Sequence, residues 1–229
     1  MAEQRPSPFS STRLIYRAVR QPEDLAVFKA INDDQIGYQN SNASNIKLAG
    51  DADAEKFMKA TAEESLLGAI IWLPLATNGD NSKEKIDSEI KKMRDAGAVA
   101  ESWGVAIGEL HLSMLPPHLT HHRHTELGID ILPAFQGRGY GAEAITWALD
   151  YAFRRAGLHR VRIRAFEWNV GAIRLYERLG FKEEGREREV LWFEGRWWDG
   201  VMMGMLEGEW WALQNKKDDK GKENGILSL

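Results

Sequence analysis

The stretch from Ile129 to Phe153 limits what this chain can become more than any other. A strand over Glu126–Leu132 stops at Pro133, and a turn with glycine at every second position follows, Gln136-Gly137-Arg138-Gly139-Tyr140-Gly141. Ala142, Ile145, Ala148, Leu149, Ala152, Phe153 and Ala156 then line one face of a four-turn helix that Gly157 closes. Strand, glycine turn and amphipathic helix in this order make a unit of an α/β fold. The same turn suits a diphosphate. The first turn of a helix presents N–H groups without intrahelical partners and a partial positive charge. Glycines remove the Cβ atoms that would keep a phosphate away from the backbone, and Arg138 adds a cation. The spacing is G-x-G-x-G, so the dinucleotide pattern G-x-G-x-x-G does not fit. Nor does a Gly-Lys-Ser/Thr follow, as a nucleotide phosphate loop requires.

The elements on either side agree with one α/β domain over 12–211, between a loose lead-in at 1–11 and a flexible tail at 212–229. Leu14–Val19 reads as a first strand. A helix is expected from Pro22, with Glu23 and Asp24 in its first turn and Leu25, Phe28 and Ile31 at helical spacing. The polar run Gln39–Asn45 reads as a loop, 53–64 as a short helix, and Leu66–Leu73 as a strand stopped by Pro74. In the charged segment 76–97, Ile86, Ile90 and Met93 fall at i, i+4 and i+7, which predicts an inserted surface helix. Val99–Leu115 is a strand or hairpin with bends at Gly104 and Gly108. After the glycine turn and its helix, Val161, Ile163 and Ala165 alternate with Arg162, Arg164 and Phe166 as a strand. Asn169 then caps a helix closed by Gly180, and 183–206 reads as a hairpin turning at Glu194-Gly195-Arg196.

Composition removes whole classes of chemistry. With no cysteine the chain has no disulfide, no thiolate nucleophile and no Cys-based metal site. A net charge of −4 offers no basic field for nucleic acid. The longest apolar run, Leu66–Leu75, is broken by Gly68 and Pro74 and is too short to span a bilayer. The first ten residues carry no apolar signal core, so a soluble cytoplasmic protein is expected, with neither nucleic acid nor membrane as partner. His118, His121, His122 and His124 crowd one loop, but no carboxylate pattern such as H-E-x-x-H accompanies them, so no metal is expected.

Two motifs in sequence carry a family resemblance. Gln136–Gly141 resembles the Q/R-x-x-G-x-G/A pyrophosphate loop of the GNAT superfamily of N-acetyltransferases. The segment from Asn169 to Phe181, NVGAIRLYERLGF, is similar to that family's N-x-x-A-x-x-L-Y-x-x-x-G-F. The final hairpin, with Trp192, Gly195, Arg196 and Asp199, resembles the branch that contains ribosomal-protein and polyamine acetyltransferases. The resemblance implies a central mixed, largely antiparallel twisted sheet flanked by helices, with strands splayed at an acetyl-CoA site. It does not extend over 76–97.

The resemblance also implies roles. The backbone of Ile129, Ile131 and Leu132 would pair with pantetheine amides, and Gln136, Gly137, Arg138, Gly139, Tyr140 and Gly141 would hold the pyrophosphate. Asn169 would lie near pantetheine or the thioester, a role compatible with a helix cap. Tyr176 stands at the position of a proton donor to the departing thiolate, against the alternative of a core tyrosine. A phenol pKa near 10 suits protonation of a thiolate, whose thiol pKa is about 8.5. Glu126 is the first candidate to take the proton of the acceptor amine and Glu109 the second, with His111 and His124 behind them. Each carboxylate also fits an ordinary strand edge. Trp192, Trp197 and Trp198 either pack the hairpin or line an acceptor pocket. The implied activity is direct transfer of acetyl from acetyl-CoA to an amine: a protein N-terminus, a polyamine or another small amine. A non-catalytic acyl-CoA-binding sensor or scaffold is the alternative, and a homodimer is the self-association to expect.

Overall fold

The computed structural model describes residues 7–75, 91, 99–101 and 104–226, with side chains to residue 216. Of the helix expected within 76–97 all but Lys91, which is helical, lies outside the described residues. Strands are β1 Ile15–Ala18, β2 Ser65–Pro74, β3 Ala100–Glu101, β4 Gly104–Ser113, β5 His124–Ile131, β6 Arg160–Phe166, β7 Lys182–Phe193 and β8 Arg196–Leu206. Helices are α1 Leu25–Asp33, α2 Gln35–Ser41, α3 Asp51–Glu63, α4 Tyr140–Asp150, α5 Val170–Leu179 and α6 Glu207–Ile226. A π-turn, Tyr151–Arg155, continues α4 towards Gly157.

Where the sequence reads as one domain, the chain groups into two compact units. One is Met1–Met114 with Leu127–Trp147, the other Leu115–Glu126 with Ala148–Leu229. The reason lies in β5, which changes partner along its length. Its first residues, His124–Glu126, run parallel to β6, and Leu127–Ile131 run antiparallel to β4. Every other ladder among the described residues is antiparallel, so the expected mixed, largely antiparallel sheet is what the chain forms.

In the first unit the order is β1-β2-β4-β5, with β3 also on β4. Ala100↔Val105 and Glu101↔Gly104 make the β3–β4 hairpin, so Gly104 stands at a bend as expected. Gly108 lies inside β4 at a bulge, a local kink of the strand, where β2 residues Ile71 and Trp72 pair with Gly108 and Ala106. α1 and α3 cover this sheet through Val27, Phe28, Ile31, Ala54 and Met58, which pack with Ile70, Trp72 and Ala106. Each large apolar side chain buried here contributes about 1.5–3 kcal/mol. α1 starts at Leu25, three residues later than Pro22. Asp24 is drawn away from the helix and buried, because its carboxylate accepts hydrogen bonds from the Arg17 guanidinium at 2.7 Å and the Arg20 N–H at 2.7 Å. α2 replaces the first part of the expected 39–45 loop. The lead-in is also tied down: Tyr16 stacks on Trp147 at 3.7 Å, and the Trp147 indole N–H donates to the Pro8 carbonyl.

In the second unit the order is β5-β6-β8-β7. β6 alternates as read, with Val161, Ile163 and Ala165 buried. Glu194 and Gly195, at φ 49° and 78°, make the two-residue turn between β7 and β8, as right-handed strand twist favours. α6 occupies the region from 212 onward where a flexible tail is expected. Trp210 explains its start, being 2% exposed and packed near Phe153 at 5.7 Å.

Candidate functional site

The glycine turn belongs to the first unit. Gly137 and Gly139 adopt φ of +71° and +81°, conformations that L side chains resist. The Gln136 side-chain amide donates to the Ile131 carbonyl at 2.7 Å, tying the turn to the end of β5. The Leu132 N–H donates to Ile107, fixing that end to β4. α4 then begins at Tyr140, so its first N–H groups point back at the turn.

A cation that the sequence did not single out stands beside this turn. Arg13 donates from Nη1 to the Arg138 carbonyl at 3.1 Å, and its guanidinium lies 4.6 Å from the Tyr140 ring centroid. Glu143 orients it, accepting from Arg13 Nε at 2.7 Å and from the Arg13 N–H and Ser11 hydroxyl at 2.6 Å. Burial raises the pKa of Glu143, but the Ser11 and Arg13 bonds outweigh it and hold the carboxyl below its usual range. No sequence spacing links residue 13 to residue 138. A bare backbone at Gly137 with open space around it, a helix N-terminus and the Arg13 and Arg138 cations fit a pyrophosphate.

β4 and β5 bring together a second set of groups. Glu109 pairs in register with Asp130, and His111 with Gly128, so the four positions share one face of the ladder. The His111 Nδ1–H donates to the Glu109 carboxylate, 3.0 and 3.2 Å from its two oxygens, and Glu109 is fully buried. Phe57 of α3 meets the imidazole edge-on, with centroids 6.1 Å apart. Asp130 is only half-buried, yet its surroundings push its pKa up to about 7. Burial is the largest cause and the Glu109 charge adds to it, while a hydrogen bond from Ser41 and the His111 charge pull the other way. Ionising Asp130 is therefore easier in the unfolded chain. Stability is fully present below the unfolded pKa of about 3.9 and is lost as pH rises through about 7. Asp130→Asn removes that loss. In urea unfolding the variant should gain on the order of 2 kcal/mol over wild type between pH 5 and pH 8, discounted because the residue is not wholly buried.

The second unit holds the remaining candidates. Asn169 caps α5, its side-chain oxygen accepting from the Ala172 N–H at 3.2 Å. Tyr176 is buried on α5, its ring 6.0 Å from that of Phe181. Glu126 is engaged by Arg164 at 2.7 Å. Trp198 packs, with the Arg196 guanidinium 3.4 Å from its ring centroid and its N–H on the Phe193 carbonyl, whereas Trp192 and Trp197 stay half-exposed. The histidine-rich loop is a 3₁₀ turn, Pro117–His122, that leads into β5 at His124. No group of three or more potential metal ligands occurs among the described residues. Nor is any described helix long and apolar enough to cross a membrane.

Comparison with known proteins agrees with the two motifs. The sequence model "Acetyltransferase (GNAT) family" matches residues 66–181. The spermidine N(1)-acetyltransferase of Vibrio cholerae is 37% identical over 89 residues, which are 39% of this chain and 51% of that enzyme. The [ribosomal protein uS5]-alanine N-acetyltransferase of Escherichia coli is 33% identical over 84 residues, 37% of this chain and 43% of that one. The chain thus matches about half the length of these relatives. The crystal structure of the Vibrio cholerae spermidine N-acetyltransferase, solved with CoA and spermine, superimposes with a TM-score of 0.63 at 22% identity, over 87% of this chain and 98% of that one. That likeness concerns the fold. The chain belongs to the acetyltransferase (GNAT) family, the N-acetyltransferases that take acetyl from acetyl-CoA and pass it to an amine.

Proposed function

We propose that this chain acetylates a primary amine, holding the pyrophosphate of acetyl-CoA on the Gln136–Gly141 turn and its pantetheine along β5. The carrying observation is the turn itself: two positive-φ glycines at a helix N-terminus, flanked by Arg138 and by Arg13 locked onto Glu143. Pantetheine amides are complementary to an open strand edge. The ladder to β6 ends at Glu126, and among the described residues Leu127–Ile131 pair with β4 alone. Ile129 and Ile131 lie in that stretch and Leu132 follows it. Asn169 is proposed near the thioester, alongside its role as a cap.

In the reaction the amine nitrogen bonds to the acetyl carbonyl carbon and the carbon–sulfur bond breaks. A carboxylate of the chain takes a proton from nitrogen, and Tyr176 supplies one to sulfur. Acceptors are proposed from the two chemistries named in the relatives, spermidine and an alanine of a ribosomal protein, the latter taken as a protein N-terminal amine. Self-association is proposed as well, to be read by sedimentation.

The test is an acceptor screen with spermidine and an N-terminal alanyl peptide, following CoA release. Acetylation of either one supports the reading, and rejection of a broad amine panel by protein that binds acetyl-CoA removes it. Tyr176→Phe should lower kcat about 100-fold with little change in KM, the range for losing one positioned proton donor. An unchanged kcat would return Tyr176 to the core.

A further inference from the structure

Three carboxylates compete for the proton of the acceptor amine, and their surroundings separate them. Glu126 is committed to Arg164 at 2.7 Å. Glu109 has no exposed surface and accepts from His111. Asp130 remains: unlike Glu109 the residue keeps part of its surface exposed, and it stands opposite Glu109 in the β4–β5 register. It also sits between Ile129 and Ile131, on the part of β5 that β4 alone pairs, and two residues before Leu132 leads into the cofactor turn. Gly128, two residues earlier on the same face, leaves the room that the His111 imidazole fills; a Cβ there would overlap the ring.

We infer that Asp130 is the carboxylate that takes the proton from the acceptor amine, with the Glu109–His111 pair as positioning groups behind it. The inference rests on the acetyltransferase reading. The protons balance as follows. An ammonium acceptor gives one proton to the Asp130 carboxylate, which passes it to solvent. The neutral nitrogen forms its bond to the carbonyl carbon as the carbon–sulfur bond breaks; Tyr176 gives its proton to sulfur, and the second proton leaving nitrogen returns to the Tyr176 phenolate through solvent. The charged and polar groups facing Asp130 are Glu109 and His111 from β4, Asp34 at the junction of α1 and α2, and Ser41 on α2. Two of them, Glu109 and Asp34, are carboxylates that oppose its ionisation. An arriving ammonium compensates this repulsion, so the site accepts a cation and then its proton. A base that titrates close to neutral pH is efficient in such a transfer.

Two measurements test this. Carboxyl carbon NMR of the full chain labelled at Asp, with Asp130 assigned by its disappearance in Asp130→Asn, follows the group directly. Asp130 should titrate near neutrality, and n-butylammonium chloride should lower its midpoint by about one unit or more. Tetramethylammonium chloride at equal ionic strength, which cannot donate a hydrogen bond, should not. Titration in the ordinary carboxylate range, or equal shifts from both salts, overturns the inference without recourse to any variant. The second measurement is kinetic, with whichever of spermidine and the alanyl peptide the wild type acetylates. Asp130→Asn should lower kcat/KM about 100-fold and abolish its rise with pH, Asp130→Glu should restore part of the rate, and calorimetric affinity for acetyl-CoA should stay unchanged. A variant that matches wild type in rate and pH profile overturns the role of Asp130 alone. Wild-type protein that binds no acetyl-CoA overturns the transferase reading and this inference with it.

Discussion

Gly139→Asp should abolish acetyl-CoA binding, with affinity falling at least 100-fold in calorimetry while the thermal unfolding curve moves only slightly. Gly139 holds φ +81°, and a Cβ there would come within 3.3 Å of the Arg13 guanidinium. The new carboxylate therefore lands beside the cation proposed to face the pyrophosphate and competes for it. A like charge about 4 Å from a phosphate costs up to about 4 kcal/mol at the effective dielectric of a protein surface. A 100-fold loss needs about 2.7 kcal/mol, so even a heavily screened charge is sufficient. Asp tolerates positive φ better than most residues, which keeps the effect on folding small. Gly139→Ala separates the two causes. It adds the backbone strain without the charge and should weaken binding far less. Equal losses in both variants would mean that backbone conformation, not charge, governs the turn. No loss in Gly139→Asp would place the diphosphate elsewhere.

Gly108→Ala should be strongly destabilising, by about 3 kcal/mol or more, read as a fall in urea midpoint. Gly108 is inside β4, and its Cβ would overlap the Asp130 carbonyl oxygen of β5. A flexible side-chain tip could swing aside, but a strand carbonyl can retreat only by opening the β4–β5 ladder. Overpacking against fixed backbone reaches the upper part of the range for point mutations. Gly137→Ala is the control. Nothing lies within 4 Å of its Cβ, so it carries only the cost of its φ of +71°, about 1 kcal/mol. If the two variants unfold at the same denaturant concentration, the close approach of β4 and β5 is not what holds glycine at 108.

Much of this molecule was legible because its signals are local. The glycine turn, the cap at Asn169, the stop at Gly180, the alternation of β6 and the turn at Glu194-Gly195 depend on residues a few positions apart, and each formed as read. The family resemblance drew on the same local signals. Departures occurred where a specific side-chain contact outweighed the local pattern. Arg17 captured Asp24 and delayed α1, burial of Trp210 started a helix where a tail was expected, and Trp147 with Glu143 held down the lead-in. For Gly108 the sequence indicated a glycine requirement but not its cause, since a bend and a close approach leave the same residue.

The candidate site divides along the same line. By itself the sequence determined the glycine turn, the helix that follows it and the positions of Asn169 and Tyr176 on their helix, because a glycine turn, a helix cap and helical spacing are properties of contiguous backbone. Only the tertiary structure decided what surrounds them. It set Arg13 beside Arg138 across 125 residues of chain, and it placed Asp130 opposite Glu109 with His111 donating to that buried carboxylate. A charged residue within the otherwise apolar stretch Leu127–Leu132 is the one trace Asp130 left in the sequence. Its altered basicity arises from burial and from neighbours on other elements, and desolvation and Coulomb repulsion depend on distance in space rather than along the chain.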